Sequence, residues 1–180
     1  MANLFGEEFE SKYEFDYDKP LLWQIYNADW TFEEYSQYQN EPKILTNPVR
    51  DIRLFEATWM EYISLAPWWL IPLFWGTNLS LFFWPRCDGG WETTLGFFCL
   101  GLLFWTFGEY TLHRFFFHGE DNWMHYMPHS RELFTAHFLI HGIHHAFPSD
   151  RYRLVFPPIP GYVIGKLTFE WPFALFMAPH

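Results

Sequence analysis

The chain has 180 residues, enough for one domain and short for two, with 24% aromatic residues and a net charge of -10 at neutral pH. That charge excludes a nucleic-acid partner, which needs a basic surface. The mean hydropathy of -0.12 understates the apolar character, because the scale treats Trp and Tyr as nearly polar while such rings collect at lipid headgroups.

Thirteen of the 21 acidic residues lie between Glu7 and Glu61, so residues 1–50 read as an acidic cytoplasmic arm with short helices. Its start lacks the pattern of a signal peptide, and Met1 to Ser11 is expected to be disordered. PLLWQIY from Pro20 is a short amphipathic piece. Asp29 or Thr31 is positioned to cap a helix through FEEYSQYQ, with Glu33 and Glu34 in its first turn and Pro42 ending it. After a turn at Asn47-Pro48, the spacing of Ile52, Phe55, Trp59 and Tyr62 predicts an interfacial helix.

Residues 63–84 carry no charge and are long enough to cross ~30 Å of hydrocarbon, with kinks expected at Pro67 and Pro72. A second predicted span covers 95–112. A third apolar segment, 154–178, is broken by prolines, Lys166 and Glu170, and its path is left open between re-entrant and spanning. Arg50 and Arg53 precede the first span, Arg86 lies between the spans, and Arg114, Arg131, Arg151 and Arg153 follow the second. That bias predicts a cytoplasmic arm and histidine-rich stretch, with a lumenal Arg86 loop. The predicted fold class is all-α: polytopic membrane helices with a cytoplasmic histidine-rich cap, the membrane domain running over 51–180. Cys87 and Cys99 suggest neither a disulfide nor a thiolate metal site. The abrupt apolar ending at Pro179-His180 reads as a truncation.

Eight of the nine histidines fall between Glu109 and Pro158. His113 and His118 are five apart, about 140° round a regular helix, so both face one metal only if the helix loosens, or else they serve different metals. Glu109, four residues before His113, is placed to orient its imidazole. His141, His144 and His145 share one turn of a helix predicted near 133–147, with His137 four positions earlier. A satisfied core would need a separate partner for every imidazole, whereas a metal explains them together. Zinc, iron and copper all suit such ligands. A carboxylate-poor site beside lipid fits oxygen chemistry on an acyl chain better than peptide hydrolysis, and HExxH, Gly-rich phosphate loops and GxSxG are all absent. His125 and His129, around Pro128, read as a solvated loop.

The motifs HRFFFH, HFLIHGIHH and DRYRLVFPP, with DYDKPLLWQIY and LFEATWMEYISLAPWWLIPLFW upstream, resemble the membrane-bound fatty acid 2-hydroxylases of the fatty acid hydroxylase superfamily. The resemblance runs from about Phe15 to His180. It implies a non-haem di-iron oxidoreductase of the endoplasmic reticulum membrane, a site that zinc can also occupy. The enzyme would insert one oxygen atom of O2 at the alpha carbon of an acyl chain destined for sphingolipids. By position it implies His113, His118, His141, His144 and His145 as metal ligands, His137 as a recurrent histidine that joins Glu109, read above from its spacing, as a supporting residue or additional ligand, and Arg153 as a head-group contact. The lipid partner would be a fatty acid, an acyl-coenzyme A or a ceramide. Residues 1–50 show no cytochrome b5 pattern, so electrons are expected from a separate cytochrome b5. The family's further histidines lie beyond another pair of spans, which implies a fragment that cannot assemble both metals by itself and is inactive alone. The alternatives are a desaturase or sterol-type oxidase with the same site, and a non-catalytic truncated metal-binding membrane protein.

Overall fold

The computed structural model describes residues 13–45, 51–83, 89–167 and 171, which are mostly helical with turns and short irregular or extended stretches between, and no strand among them. Met1 to Ser11, the Asn47-Pro48 turn, Arg50, Arg86, Cys87 and most of the third apolar segment beyond residue 167 lie outside the described residues.

Helices α1 (Leu21–Asn27) and α2 (Phe32–Asn40) form the arm. Of the two capping residues expected for α2, Thr31 is the one used. Its hydroxyl accepts the Glu34 backbone N–H at 3.2 Å and the Glu34 carboxylate accepts the Thr31 N–H at 3.0 Å, a reciprocal box that satisfies two otherwise orphaned donors. The helix stops at Asn40, two residues before Pro42.

The helix expected across 49–63 is corrected. Residues 51–57 are not helical, and helix α3 covers only Thr58–Ser64. Ile52 and Leu54 are each 2% exposed while Arg53 between them faces outward, the period-two alternation of an extended strip. The carbonyls of Arg53 and Leu54 accept the N–H groups of Leu21 and Leu22 at 2.9 and 3.1 Å. The strip thereby satisfies donors that the first turn of α1 cannot bond internally, a gain that tertiary contact offers and helical spacing does not. Ile52 and Leu54 join Leu21, Ile25, Tyr35 and Tyr38 of the arm in one core with Met124, Phe134, Phe138 and Ile143 of the histidine-rich stretch. The arm helices therefore share one core with the histidine-rich stretch.

Helix α4 (Leu70–Asn78) continues in wider turns through Leu79–Phe83. Its fourteen residues give about 21 Å, short of the ~30 Å expected of a span over 63–84, whose last residue lies outside the described residues. Pro72 sits in the first turn of α4, where the missing N–H breaks no hydrogen bond, so it marks a helix start where a kink was expected. Helix α5 (Gly90–Thr111) runs on through Phe117, giving 28 residues from Gly90 to Phe117 and about 42 Å. Among the described residues it is the one helix long and apolar enough to cross a membrane, and its apolar side chains are exposed. The exposed Cys99 thiol lies on it. Two short turns follow, α6 (Gly119–Asn122) and Met124–Tyr126. The histidine helix then runs without a break as α7 (Arg131–His137), a wide segment Phe138–Gly142, and α8 (Ile143–Ala146). Helix α9 (Pro158–Gly165) packs back on α4, with the Phe74 and Tyr162 rings edge-to-face at 5.8 Å.

Candidate metal centre

Two widened turns shape the site. The His118 N–H bonds to the His113 carbonyl at 3.1 Å, a five-residue closure that makes Leu112–Phe117 a π-helical segment. Widening the turn carries the two imidazoles from opposite sides towards one side, and their ring centroids lie 5.1 Å apart. The loosening that the five-residue spacing demanded is thus present. A second π segment, Phe138–Gly142, falls inside the histidine helix. Such single-turn bulges are rare and frequently mark functional positions.

His113, His118 and His141 each present one nitrogen, all within 4.8 Å of one another, although they come from two helices. His145 Nε2 is 2.8 Å from His141 Nε2, and its ring lies 4.9 Å from that of His118. His144 is more peripheral, 5.9 Å from His141 between ring centres, and its buried Nδ1 has no hydrogen-bond partner. Burial, then the neighbouring His145, His118, His113 and His137, push the His141 pKa down to about 3. His144 and His145 are lowered as well, by burial first and then by their histidine neighbours. These imidazoles are neutral at physiological pH, and each keeps one ring nitrogen with a lone pair. Such a donor set fits a cation, which would turn crowded lone pairs into coordination.

The remaining candidates are placed as follows. Glu109 is exposed on α5 and makes no hydrogen bond to His113 among the described residues. His137 is 5% exposed, with Nδ1 at 2.7 Å from the Tyr35 hydroxyl and Nε2 at 2.7 Å from the Phe117 carbonyl. Arg153 is 6% exposed and its terminal nitrogens pair with Asp150, at 2.7 Å, and with Glu61. Glu61 also accepts the backbone N–H groups of Leu54 and Phe55, each at 2.9 Å. That is the geometry of an internal ion triad joining α3 to the segment after the histidine helix. His125 and His129 are exposed, and His129 stacks on Phe32 at 5.0 Å.

Glu120 was missed by sequence reasoning. It is 6% exposed, with Oε1 3.4 Å from His118 Nδ1 and Oε2 3.1 Å from His137 Nε2. Burial pushes its carboxyl up, but His137, a backbone N–H and Gln39 together outweigh that and hold it down to about 2. The available signal was its place two residues after His118; what gives it meaning is the tight α6 turn that folds it inward.

Gly142 lets α2 approach the histidine helix. A Cβ there would stand 2.8 Å from Gln39 Oε1 and 3.1 Å from the Tyr35 hydroxyl, and both of those residues are fully buried with no room to swing away. Gly142→Ala would gain up to about 1 kcal/mol of helix propensity against an overpacking cost of about 1–3 kcal/mol. Crowding is expected to win, lowering the unfolding midpoint in denaturant titration.

No family model matches the chain. It is 35% identical over 153 residues to the ceramide very long chain fatty acid hydroxylase scs7 of Schizosaccharomyces pombe, an alignment covering 84% of this chain and 42% of that protein. It is 33% identical to fatty acid 2-hydroxylase of Mus musculus, over 91% of this chain and 45% of the relative. It is 35% identical to dihydroceramide fatty acyl 2-hydroxylase FAH2 of Arabidopsis thaliana, over 82% and 57%. The solved structure of full-length scs7p, in which only the hydroxylase domain is visible, superimposes with a TM-score of 0.76 at 31% identity, covering 94% of this chain and 61% of that one. The chain spans about half the length of the curated relatives it matches.

An all-helical scaffold with one long exposed apolar helix and histidines gathered at its end defines the hydroxylase type of membrane-protein fold. Within that class, the chain is similar over most of its length to part of the fatty acid 2-hydroxylases and ceramide fatty acid hydroxylases.

Proposed function

We propose that this chain carries the first part of the metal centre, and the membrane platform beneath it, of a fatty acid 2-hydroxylase acting on acyl chains of sphingolipids. The observation that supports this best is the convergence of His113, His118 and His141 from two helices, with donor atoms within 4.8 Å. His144 and His145 extend the same donor set. The metal ions, two irons in this reading with zinc able to take their places, would supply the activation of O2. In the overall reaction a C–H bond at the alpha carbon becomes C–OH, the second oxygen atom leaves as water, and two electrons and two protons are consumed. The electrons come from a cytochrome b5.

The chain's own residues do the placing. Neutral imidazoles hold their lone pairs in one volume, and the exposed apolar surface of α5 offers an acyl chain a route from lipid. Trp59 and Tyr62 on α3, with Trp68 and Trp69 just before α4, are all exposed and suit the headgroup level. The protein resides in this reading in the endoplasmic reticulum membrane with the histidine side cytoplasmic. Its substrate is a fatty acid, an acyl-coenzyme A or a ceramide. The names of the relatives favour hydroxylation over desaturation or sterol oxidation. Five imidazoles are too few to ligate two ions fully, so the 180-residue chain by itself is expected to bind fewer than two and to lack turnover.

Lipid analysis of cells expressing the gene, with and without the His141 substitution, tests this. New 2-hydroxy acyl chains that vanish in the variant are the expected result; new double bonds would replace the reading with a desaturase. Two irons per chain together with turnover by the isolated 180 residues would overturn the incomplete centre.

A further inference from the structure

Tyr35, Gln39, His137 and Glu120 form a buried polar group, 0%, 0%, 5% and 6% exposed, beside His118. They come from α2, α7 and α6, and of the four only His137 has a place in the metal reading, as a supporting residue or additional ligand. The tautomers follow from the partners. His137 Nε2 faces two acceptors, the Phe117 carbonyl at 2.7 Å and Glu120 Oε2 at 3.1 Å, so Nε2 carries the proton. Its Nδ1 is then an acceptor, and the Tyr35 hydroxyl donates to it at 2.7 Å. Both ring nitrogens of His137 are thus engaged away from the metal volume.

Glu120 is the residue the group converges on. It is more than nine-tenths buried, yet neither carboxylate oxygen has a well-aligned hydrogen bond, although donors lie close by. A buried carboxylate with unsatisfied oxygens is costly unless it has a partner to close on. His118 Nδ1, 3.4 Å from Oε1, is that partner. A proton held on Nδ1 by Glu120 leaves the lone pair on His118 Nε2, the form in which an imidazole binds a metal.

We propose that Tyr35, His137 and Glu120 are positioning residues: a buried polar strut, anchored in the amino-terminal arm, that sets the tautomer and orientation of His118 for metal binding. The strut rests on the metal reading given above. Tyr35 holds the His137 ring, His137 holds Glu120, and Glu120 holds His118. By this route the packing of the arm against the histidine helix reaches the metal.

The test uses the whole chain in detergent, loaded with cobalt(II), with affinity measured by chelator competition and ligand geometry by visible absorption. Glu120→Gln is expected to weaken binding by about 10–100-fold and to change the absorption bands, the loss typical when a ligand histidine's supporting carboxylate is removed. Tyr35→Phe, which deletes one hydroxyl, is expected to give a smaller loss in the same direction, and Glu120→Asp to recover part of the Glu120→Gln loss. Thr31→Ala, which removes only the α2 cap, is expected to lower stability and leave affinity and spectrum unmoved. Parent-like cobalt affinity and spectrum in Glu120→Gln would overturn the strut alone. So would a Thr31→Ala effect as large as that of Tyr35→Phe, since the group would then act only through stability. A parent chain that binds no cobalt would overturn the metal reading itself.

Discussion

His141→Ala is expected to abolish cobalt or zinc binding, a loss larger than the ~10–100-fold that removing a supporting partner costs. His141 is the hub of the cluster: its ring lies 4.9 Å from those of His113 and His118, 4.6 Å from His145 and 5.9 Å from His144. It is also the histidine the first helix depends on, because the group of three nitrogens within 4.8 Å contains it. Without it, the group of three nitrogens is lost and the close ring pair left between the two helices is His118 with His145, at 4.9 Å. Chelator competition or metal analysis after gel filtration checks this. His125→Ala is the control, since that exposed side chain lies outside the cluster, and it is expected to bind as the parent does. Equal metal content in His141→Ala and parent would remove the centre from these residues.

Arg153→Ala is expected to cost about 3–5 kcal/mol of stability, the range for removing one partner of a buried ion pair. The Arg153 and Asp150 side chains are 3% and 2% exposed and that of Glu61 is 15%, so two carboxylates would be left without their cation in poor contact with water. Replacing all three by apolar residues of similar volume is expected to recover only part of the loss. The Leu54 and Phe55 N–H groups would still lose their acceptor, Glu61 Oε2. Denaturant titration in detergent reads both results. Arg153→Lys separates the structural role from the head-group contact inferred by resemblance: a head-group contact would lower the 2-hydroxy acyl product of cells expressing the gene at unchanged stability. A structural triad would show its loss in unfolding, because an ammonium cannot reproduce the fork that reaches both carboxylates.

What was legible in the sequence is what depends on local chemistry. The α2 helix was readable from Thr31, Glu34 and Pro42, because a cap and a breaker act within a few residues of themselves. The long apolar helix was readable from its uninterrupted apolar run, because membrane crossing is a matter of length and composition. The HxxHH box placed His141, His144 and His145 on one turn for the same reason. Residues 51–57 were misread as helix because Ile52 and Phe55 fit helical spacing, while the choice between helix and strip was made by the donors of α1, some thirty residues earlier in the chain.

By itself, then, the sequence determined an all-helical chain, an exposed apolar helix and a set of histidines suited to a metal. Tertiary structure decided which of them meet. The five-residue spacing of His113 and His118 is neutral until the turn between them widens, and that widening is stabilised where the Phe117 carbonyl accepts from His137 on another helix. Glu120 is a surface-type residue by composition and becomes a buried partner of His118 only because α6 turns it inward under α2. Backbone hydrogen bonds and apolar periodicity act over a few residues and can be read along a chain. The pairing of one imidazole with a carboxylate and a tyrosine from three helices depends on packing that no local pattern encodes.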